Sequence, residues 1–383
     1  MPIPFRVGEH VTGEFFTDRA DEVKKILRSM RDPSRLLVYG ERRHGKSSAI
    51  RHAAERFAQK DGIVLWVDVA TVSNFAEIAC RLISSVPYSW IWRDDLQARL
   101  VQASIQVELK SDASGNPVLS LGLEPRPTSP EHGKEELGRA IRVLDRLAQE
   151  RNVRLALVLD EFQQIARLVE VGGWVLRELM QEAHHLSFIC AGSRRSLIEE
   201  MLSEEGAFHR FFEPLNVHQI DPEHLATWLE DRMNSAGVRT EPGVGNSIIS
   251  RMGPRTQDCL QLARAVFSFG QGRGRVSRED VTGALLGSVL EDADRFETVW
   301  AGLARSQQAV LRAVAVGEEH LYSQDAARRH GLPTAGTVRR AILALQDKRH
   351  LTEGKELGID DPFFREWILL RAMPDGFAPP QRS

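Results

Sequence analysis

Cysteine is scarce: Cys80, Cys190 and Cys259 stand far apart, with no CxxC pair among them. An odd, scattered set excludes a disulfide framework and a paired-cysteine zinc site, and it fits a reducing compartment. An excess of one charge is also lacking. Fifty basic residues against fifty-three acidic ones leave a formal charge of −3, so the whole molecule has no electrostatic pull toward nucleic acid or an acidic membrane, and any such pull has to be local. No hydrophobic run approaches the length of a membrane span, and the opening MPIPFRVGEHVTGEFF has neither the basic nor the apolar region of a signal peptide. A cytoplasmic protein without membrane association is expected. The histidines show no H-E-x-x-H or comparable ligand spacing, and no internal repeat is evident.

The remaining composition is that of a globular chain, 42% hydrophobic and 27% charged, which supplies an ordinary core. Its 383 residues exceed what one core usually supports, so two or three domains are expected.

Leu36–Tyr39 and Ile63–Val69 are short apolar runs that read as buried strands, and Ser47–Gln59 between them has helical spacing, which makes a βαβ unit. Leu155–Leu159 and Leu186–Ala191 are too short for helices and too uniformly apolar for strands with one wet face. They suit the middle of a parallel sheet covered on both faces. Residues 107–123 alternate about Ser114-Gly-Asn-Pro117 and predict a β-hairpin insertion; Glu124–Gly133, with three prolines, reads as a loop. After Pro214 the pattern turns helical and strands disappear, with helices expected at Pro222–Asn234, Gly245–Met252 and Thr256–Phe269. From Ser306 come a helix, a short helix Ser323–His330, a turn at Gly331, a helix Ala335–Lys348 and a short extended piece, a winged helix-turn-helix pattern. The division expected is a core over 1–215, a helical domain over 216–303, a winged helix over 304–375 and a tail over 376–383.

Gly40-Glu41-Arg42-Arg43-His44-Gly45-Lys46-Ser47, followed by Ser48, matches G-x-x-x-x-G-K-[ST] in full. Glycines let backbone N–H groups curl around phosphates, the lysine reaches the β/γ oxygens, and the hydroxyl suits Mg2+. The flanking strand and helix are the context this loop requires. Leu155-Ala-Leu-Val-Leu-Asp160-Glu161 sets two acids at the end of an apolar strand, where an unpaired carboxylate is costly without a cation or donors. Asp160 is the magnesium candidate beside Ser47, and Glu161 the general base for an attacking water. Otherwise both acids cap a helix starting near Phe162.

Three further positions are candidates by place. Ser193 follows the strand Leu186–Ala191 and either points at the γ-phosphate or is a plain turn residue, with Arg194 and Arg195 next to it. Arg255, in Met252-Gly-Pro-Arg-Thr, is either a lid arginine or solvent-exposed. Arg210, between the aromatics of Phe208-His-Arg-Phe-Phe, is either an arginine finger for a neighbouring subunit or a packed side chain. Phe363, Phe364 and Trp367 are either a docking patch for a partner or, most simply, core of the last domain.

The order of these motifs resembles the AAA+-related ATPases, most closely the archaeal-type ATPase group allied to STAND switches and origin-recognition initiators. The resemblance rests on Phe16-Thr-Asp-Arg19 with Glu22, Gly40–Ser47, Leu155–Glu161 and Asp361-Pro-Phe-Phe-Arg-Glu-Trp367. It implies an α/β P-loop core with a helical lid and a C-terminal winged helix, ATP rather than GTP as the nucleotide, and Arg19 at the border of the adenine site. Many relatives place asparagine or threonine where Ser193 stands. No N-K-x-D guanine signature contradicts ATP.

The preferred function is a slow ATPase switch whose nucleotide state governs assembly or partner binding, including a homo-oligomer. The alternatives are a DNA-binding initiator or loader and a nucleotide-holding scaffold with negligible hydrolysis. Arg328, Arg329, Arg339, Arg340, Lys348 and Arg349, against Asp325 and Asp347 alone, give Ser323–His350 a local basic patch. Its partner is either double-stranded DNA or a protein.

Overall fold

The computed structural model describes residues 3–6, 17–87, 99, 107–111, 117–121, 130–168, 172–193, 195–253, 255–352 and 357–372. The chain divides into two compact units, one made of residues 10–218 and the other of the first nine residues together with 219–383.

The first unit is built on five parallel strands, β1 (Arg35–Tyr39), β2 (Gly62–Asp68), β5 (Arg154–Asp160), β6 (Leu186–Gly192) and β7 (Glu213–Asn216), in the order β2-β5-β6-β1-β7. The apolar runs do in the sheet what their composition requires: residues 155–159 of β5 and every residue of β6 are buried. Successive side chains alternate between two cores. Leu155, Leu157 and Leu159 join Phe188, Cys190 and the helices Phe75–Ser84, Pro130–Arg151 and Gly172–Glu182 on one face. Ala156, Val158, Ile189 and Ala191 face the helices Ala20–Arg31 and Lys46–Lys60 on the other.

The hairpin insertion is present as β3 (Val107–Ser111) paired antiparallel with β4 (Pro117–Leu121); its turn, 112–116, lies outside the described residues. Three expectations need correction. The run Ile63–Val69 is not a fully buried strand: β2 lies at the edge of the sheet, paired with β5, and within β2 only Leu65 and Val67 are buried. The stretch Glu124–Gly133 is not all loop, because a helix begins at Pro130, where the fixed φ of proline suits a first turn and its missing N–H costs nothing. Strands also do not stop at Pro214: β7 runs Glu213–Asn216 beside β1, and Arg239–Thr240 (β8) pairs with Arg275–Val276 (β9).

In the second unit one hydrophobic cluster runs from Ile220 to Leu369, so the helical segment and the winged-helix segment share a core. Phe5 enters the same cluster, edge-on to Trp228, and Arg232 donates to the Pro4 carbonyl at 3.1 Å. Helices Pro222–Ser235, Val244–Met252, Thr256–Gly270, Arg278–Glu291 and Ala293–Ala301 precede the winged helix. Its helices are Arg305–Ala315, Gln324–His330 and Ala335–Asp347, and an antiparallel bridge between Leu351 and Ile359 closes the wing base. Phe363, Phe364 and Trp367 are buried in the helix Pro362–Ala372, with Phe364 and Trp367 stacked at 5.7 Å. The expected tail, 376–383, lies outside the described residues. Among the described residues no helix is long and apolar enough to cross a membrane, and the three cysteines are free thiols.

Candidate functional site

The carboxyl ends of β1, β5 and β6 lie side by side, and this sheet edge is where open α/β folds bind ligands. Because β6 sits between β1 and β5, Ser193 lies between the loop after β1 and the acids that end β5.

Gly40–Ser47 links β1 to the helix Lys46–Lys60. Gly40 has φ 148°, and a Cβ there would lie 2.3 Å from the Val217 carbonyl oxygen, so only glycine fits. Gly45, at φ 85°, caps the helix in the left-handed region, and Arg43 also has positive φ, 65°. The loop therefore curls, and the helix N-terminus adds unpaired N–H groups suited to an anion. Lys46 is buried and donates through Nζ to the Glu41 carbonyl at 2.5 Å. Burial pulls its ammonium down to about 8, while the Glu161 and Asp160 carboxylates favour its charge. Phosphate oxygens would supply the charge partner that this burial calls for. His44 is buried, Glu41 and Arg42 are exposed, and Ser48 lies in the first turn of the helix.

Arg19 braces this loop. It is 5% exposed, pairs with Glu22 at 2.8 Å, and donates to the His44 carbonyl at 3.0 Å and the His218 carbonyl at 2.5 Å. Phe16 lies outside the described residues.

Asp160 Oδ2 stands 3.4 Å from the Ser47 hydroxyl, and Oδ1 accepts from the Glu161 amide at 3.0 Å. Asp68 ends β2 in register with Asp160. Burial raises the Asp160 carboxyl above the ordinary range; the Glu161 amide and Ser47 hydroxyl lower it, and the Glu161 and Asp68 charges raise it. Oxygen donors with crowded negative charge fit Mg2+, which is usually held by one or two carboxylates together with substrate phosphates. Ser47 and Asp160 are the residues that would hold it.

Glu161 occupies the left-handed region at φ 55° and makes no side-chain cap to the short 3-10 helix Phe162–Arg167 that follows. Its carboxylate instead accepts from Ser193 Oγ at 3.2 and 3.3 Å and from Gln163 Nε2 at 2.6 Å. Gln163 is completely buried and escaped the sequence reading. The available signal was an amide directly after Asp-Glu-Phe, with nothing in the sequence to distinguish it from Gln164 next to it.

The two remaining arginines are placed differently. Arg210 is exposed at φ 51°, on a turn anchored by Phe208, Phe211 and Phe212, whose rings pack within 5.7 Å of one another. Arg255, in the second unit, pairs with Asp360 at 3.1 Å and also donates to the Asp360 carbonyl. Arg194 lies outside the described residues.

A phosphate-binding loop after the first strand, an acid pair two strands away and a polar residue just past the strand between them define a P-loop nucleotide-binding protein of the ATPase class. The chain belongs to the family described as an ATPase domain predominantly from Archaea, which matches residues 16–235, and a winged helix domain family matches residues 294–370. It is similar to the Walker-type ATPase PABY2304 of Pyrococcus abyssi, at 19% identity and TM-score 0.58, over 96% of this chain and 99% of that one. It is also similar to the Aeropyrum pernix ORC1 protein, solved in complex with DNA, at 18% identity and TM-score 0.51 over 93% of each chain. The ADP form of the Aeropyrum pernix ORC2 protein matches at 14% identity and TM-score 0.51, over 94% and 96%. No curated protein matches the chain. At these identities the solved structures establish the fold, an α/β P-loop core with a helical region and a C-terminal winged helix.

Proposed function

We propose that the protein is a magnesium-dependent ATPase switch, in which ATP binding and slow hydrolysis in the first unit govern partner binding by the C-terminal winged helix. The observation that carries this reading is the close placement of Ser47, Asp160 and Glu161, with the hydroxyl 3.4 Å from one carboxylate and the next acid held apart on a polar anchor. Backbone N–H groups of Gly40–Ser47 and the Lys46 ammonium would hold the β- and γ-phosphates. Bound Mg2+ supplies charge neutralisation at the β- and γ-oxygens. Glu161 would accept the proton of a water that forms a bond to the γ-phosphorus as the bond to the ADP oxygen breaks.

Partner binding is assigned to Ala335–Asp347, where Arg339 and Arg340 are exposed while Val338, Ile342 and Leu345 are buried. Double-stranded DNA fits that charge, and an acidic protein surface is the alternative. Arg210, held out on its strained turn, is the side chain this reading offers to the nucleotide of a neighbouring copy. Arg255, which pairs with Asp360, is the lid arginine of this reading.

Two variants test the core of the proposal. Lys46→Ala should abolish or greatly weaken ATP binding, and Glu161→Gln should bind ATP while losing turnover. Undiminished ATP affinity in the first, or normal hydrolysis in the second, would remove the corresponding assignment.

A further inference from the structure

Gln163 is a costly residue to bury. An amide taken from water into a core destabilises unless both its ends find partners, and Gln163 is 0% exposed. Both ends are matched. Nε2 donates to Glu161 Oε2 at 2.6 Å, and Oε1 accepts from the Ser193 amide at 3.3 Å. The opposite amide orientation would set its oxygen against a carboxylate and its NH2 against an N–H, so the pattern fixes the flip. An uncharged glutamine amide can donate to a carboxylate and accept from an amide at once, which an ionised glutamate of the same length cannot.

The surrounding backbone makes room for this arrangement. A Cβ on Gly192 would lie 2.7 Å from Gln163 Oε1 and 2.6 Å from Ile198 Cδ1, so the glycine that ends β6 leaves the space the amide occupies. Glu161 itself sits at φ 55°, a conformation that persists in a non-glycine residue only when neighbours over-determine it.

We infer that Gln163 is a positioning residue for Glu161, clamping the carboxylate against the end of β6 so that its free lone pairs point at the nucleotide edge of the sheet. This inference rests on the reading of Glu161 as the base. A base free to rotate loses the aim that in-line attack requires, and about 1 Å of misplacement costs on the order of a hundredfold in rate. Ser193 alone does not suffice as a clamp, because its longer contacts of 3.2 and 3.3 Å are shared between both carboxylate oxygens.

The test is steady-state ATP hydrolysis by full-length protein, with ATP affinity measured alongside. Gln163→Met keeps length and core volume while removing both hydrogen bonds. It should lower kcat about 10- to 100-fold and leave KM and ATP affinity within about twofold. Gly192→Ala, which displaces the amide without removing it, should lower kcat in the same direction. In a Glu161→Gln background, Gln163→Met should cause no further loss, since the group it aims is gone. Wild-type or increased kcat in Gln163→Met, or an equal loss with and without Glu161, would overturn the inference. Normal hydrolysis by Glu161→Gln alone would instead overturn the base assignment on which it rests.

Discussion

Arg255 and Asp360, 105 residues apart in sequence, form a two-point clamp: the guanidinium lies 3.1 Å from the carboxylate and also donates to the Asp360 carbonyl. The clamp ties the residue that precedes the helix Thr256–Gly270 to the end of the wing. Its side chains are only 14% and 15% exposed, so it should be worth more than a solvated surface pair.

Arg255→Ala and Asp360→Ala should therefore each destabilise the protein by about 1–3 kcal/mol. A double-mutant cycle in denaturant should return a coupling of about 1 kcal/mol or more. Strictly additive losses would show that the pair is energetically inert.

At the sheet edge, Ser47→Ala should leave nucleotide binding intact in a chelator but raise the Mg2+ needed for half-maximal hydrolysis on the order of tenfold, the cost of one lost polar ligand to a charged group. Asp160→Asn should act in the same direction and more strongly. A magnesium titration of hydrolysis that matches wild type in both variants would place the metal elsewhere.

Glu366 is 1% exposed, and while Oε1 accepts from Arg365 at 2.8 Å, Oε2 has no hydrogen-bond partner among the described residues. Burial raises its carboxyl above the ordinary value, with Arg365 and Arg251 pulling it back. The folded state therefore holds this proton more tightly than the unfolded chain, and stability falls as pH rises from the unfolded value through the raised one. Glu366→Gln should be more stable than wild type at pH 7 by on the order of 1 kcal/mol, and the gap should narrow as pH falls toward the ordinary glutamate range. Urea unfolding at several pH values measures it; a gap independent of pH would mean that the carboxylate's charge carries no cost.

On the helix Ala335–Asp347, Arg339→Ala/Arg340→Ala should weaken duplex DNA binding across all sequences and make the salt dependence shallower by about one to two units of slope. Folding should be undisturbed, because both side chains are exposed. If the intact protein shows no salt-dependent DNA binding in any nucleotide state, a protein partner takes the place of DNA.

The elements that carry their own local signal were legible in the sequence. Apolar runs at Leu36, Leu155 and Leu186 became strands β1, β5 and β6, because a run too short for a helix and apolar on both faces fits the middle of a covered sheet, whereas the run at Ile63 became the edge strand β2, in which only Leu65 and Val67 are buried. Gly40–Ser47 was readable because its glycines, lysine and serine fall within eight consecutive residues, and the helix Ala335–Asp347 because its apolar residues recur at helical spacing.

Strand β7 was not legible, since Glu213-Pro-Leu-Asn has no strand pattern of its own and is a strand only because β1 offers an open edge. The pairings that only tertiary structure decided are those between residues far apart in the chain. Strand order decided that Ser193 meets Glu161, a shared helical core decided that Arg255 meets Asp360 and left Glu366 half-satisfied, and the space beside Gly192 decided that Gln163 reaches Glu161. Composition and spacing encode which face of an element is apolar, whereas a polar contact depends on where two elements end in space, which their local sequences do not specify.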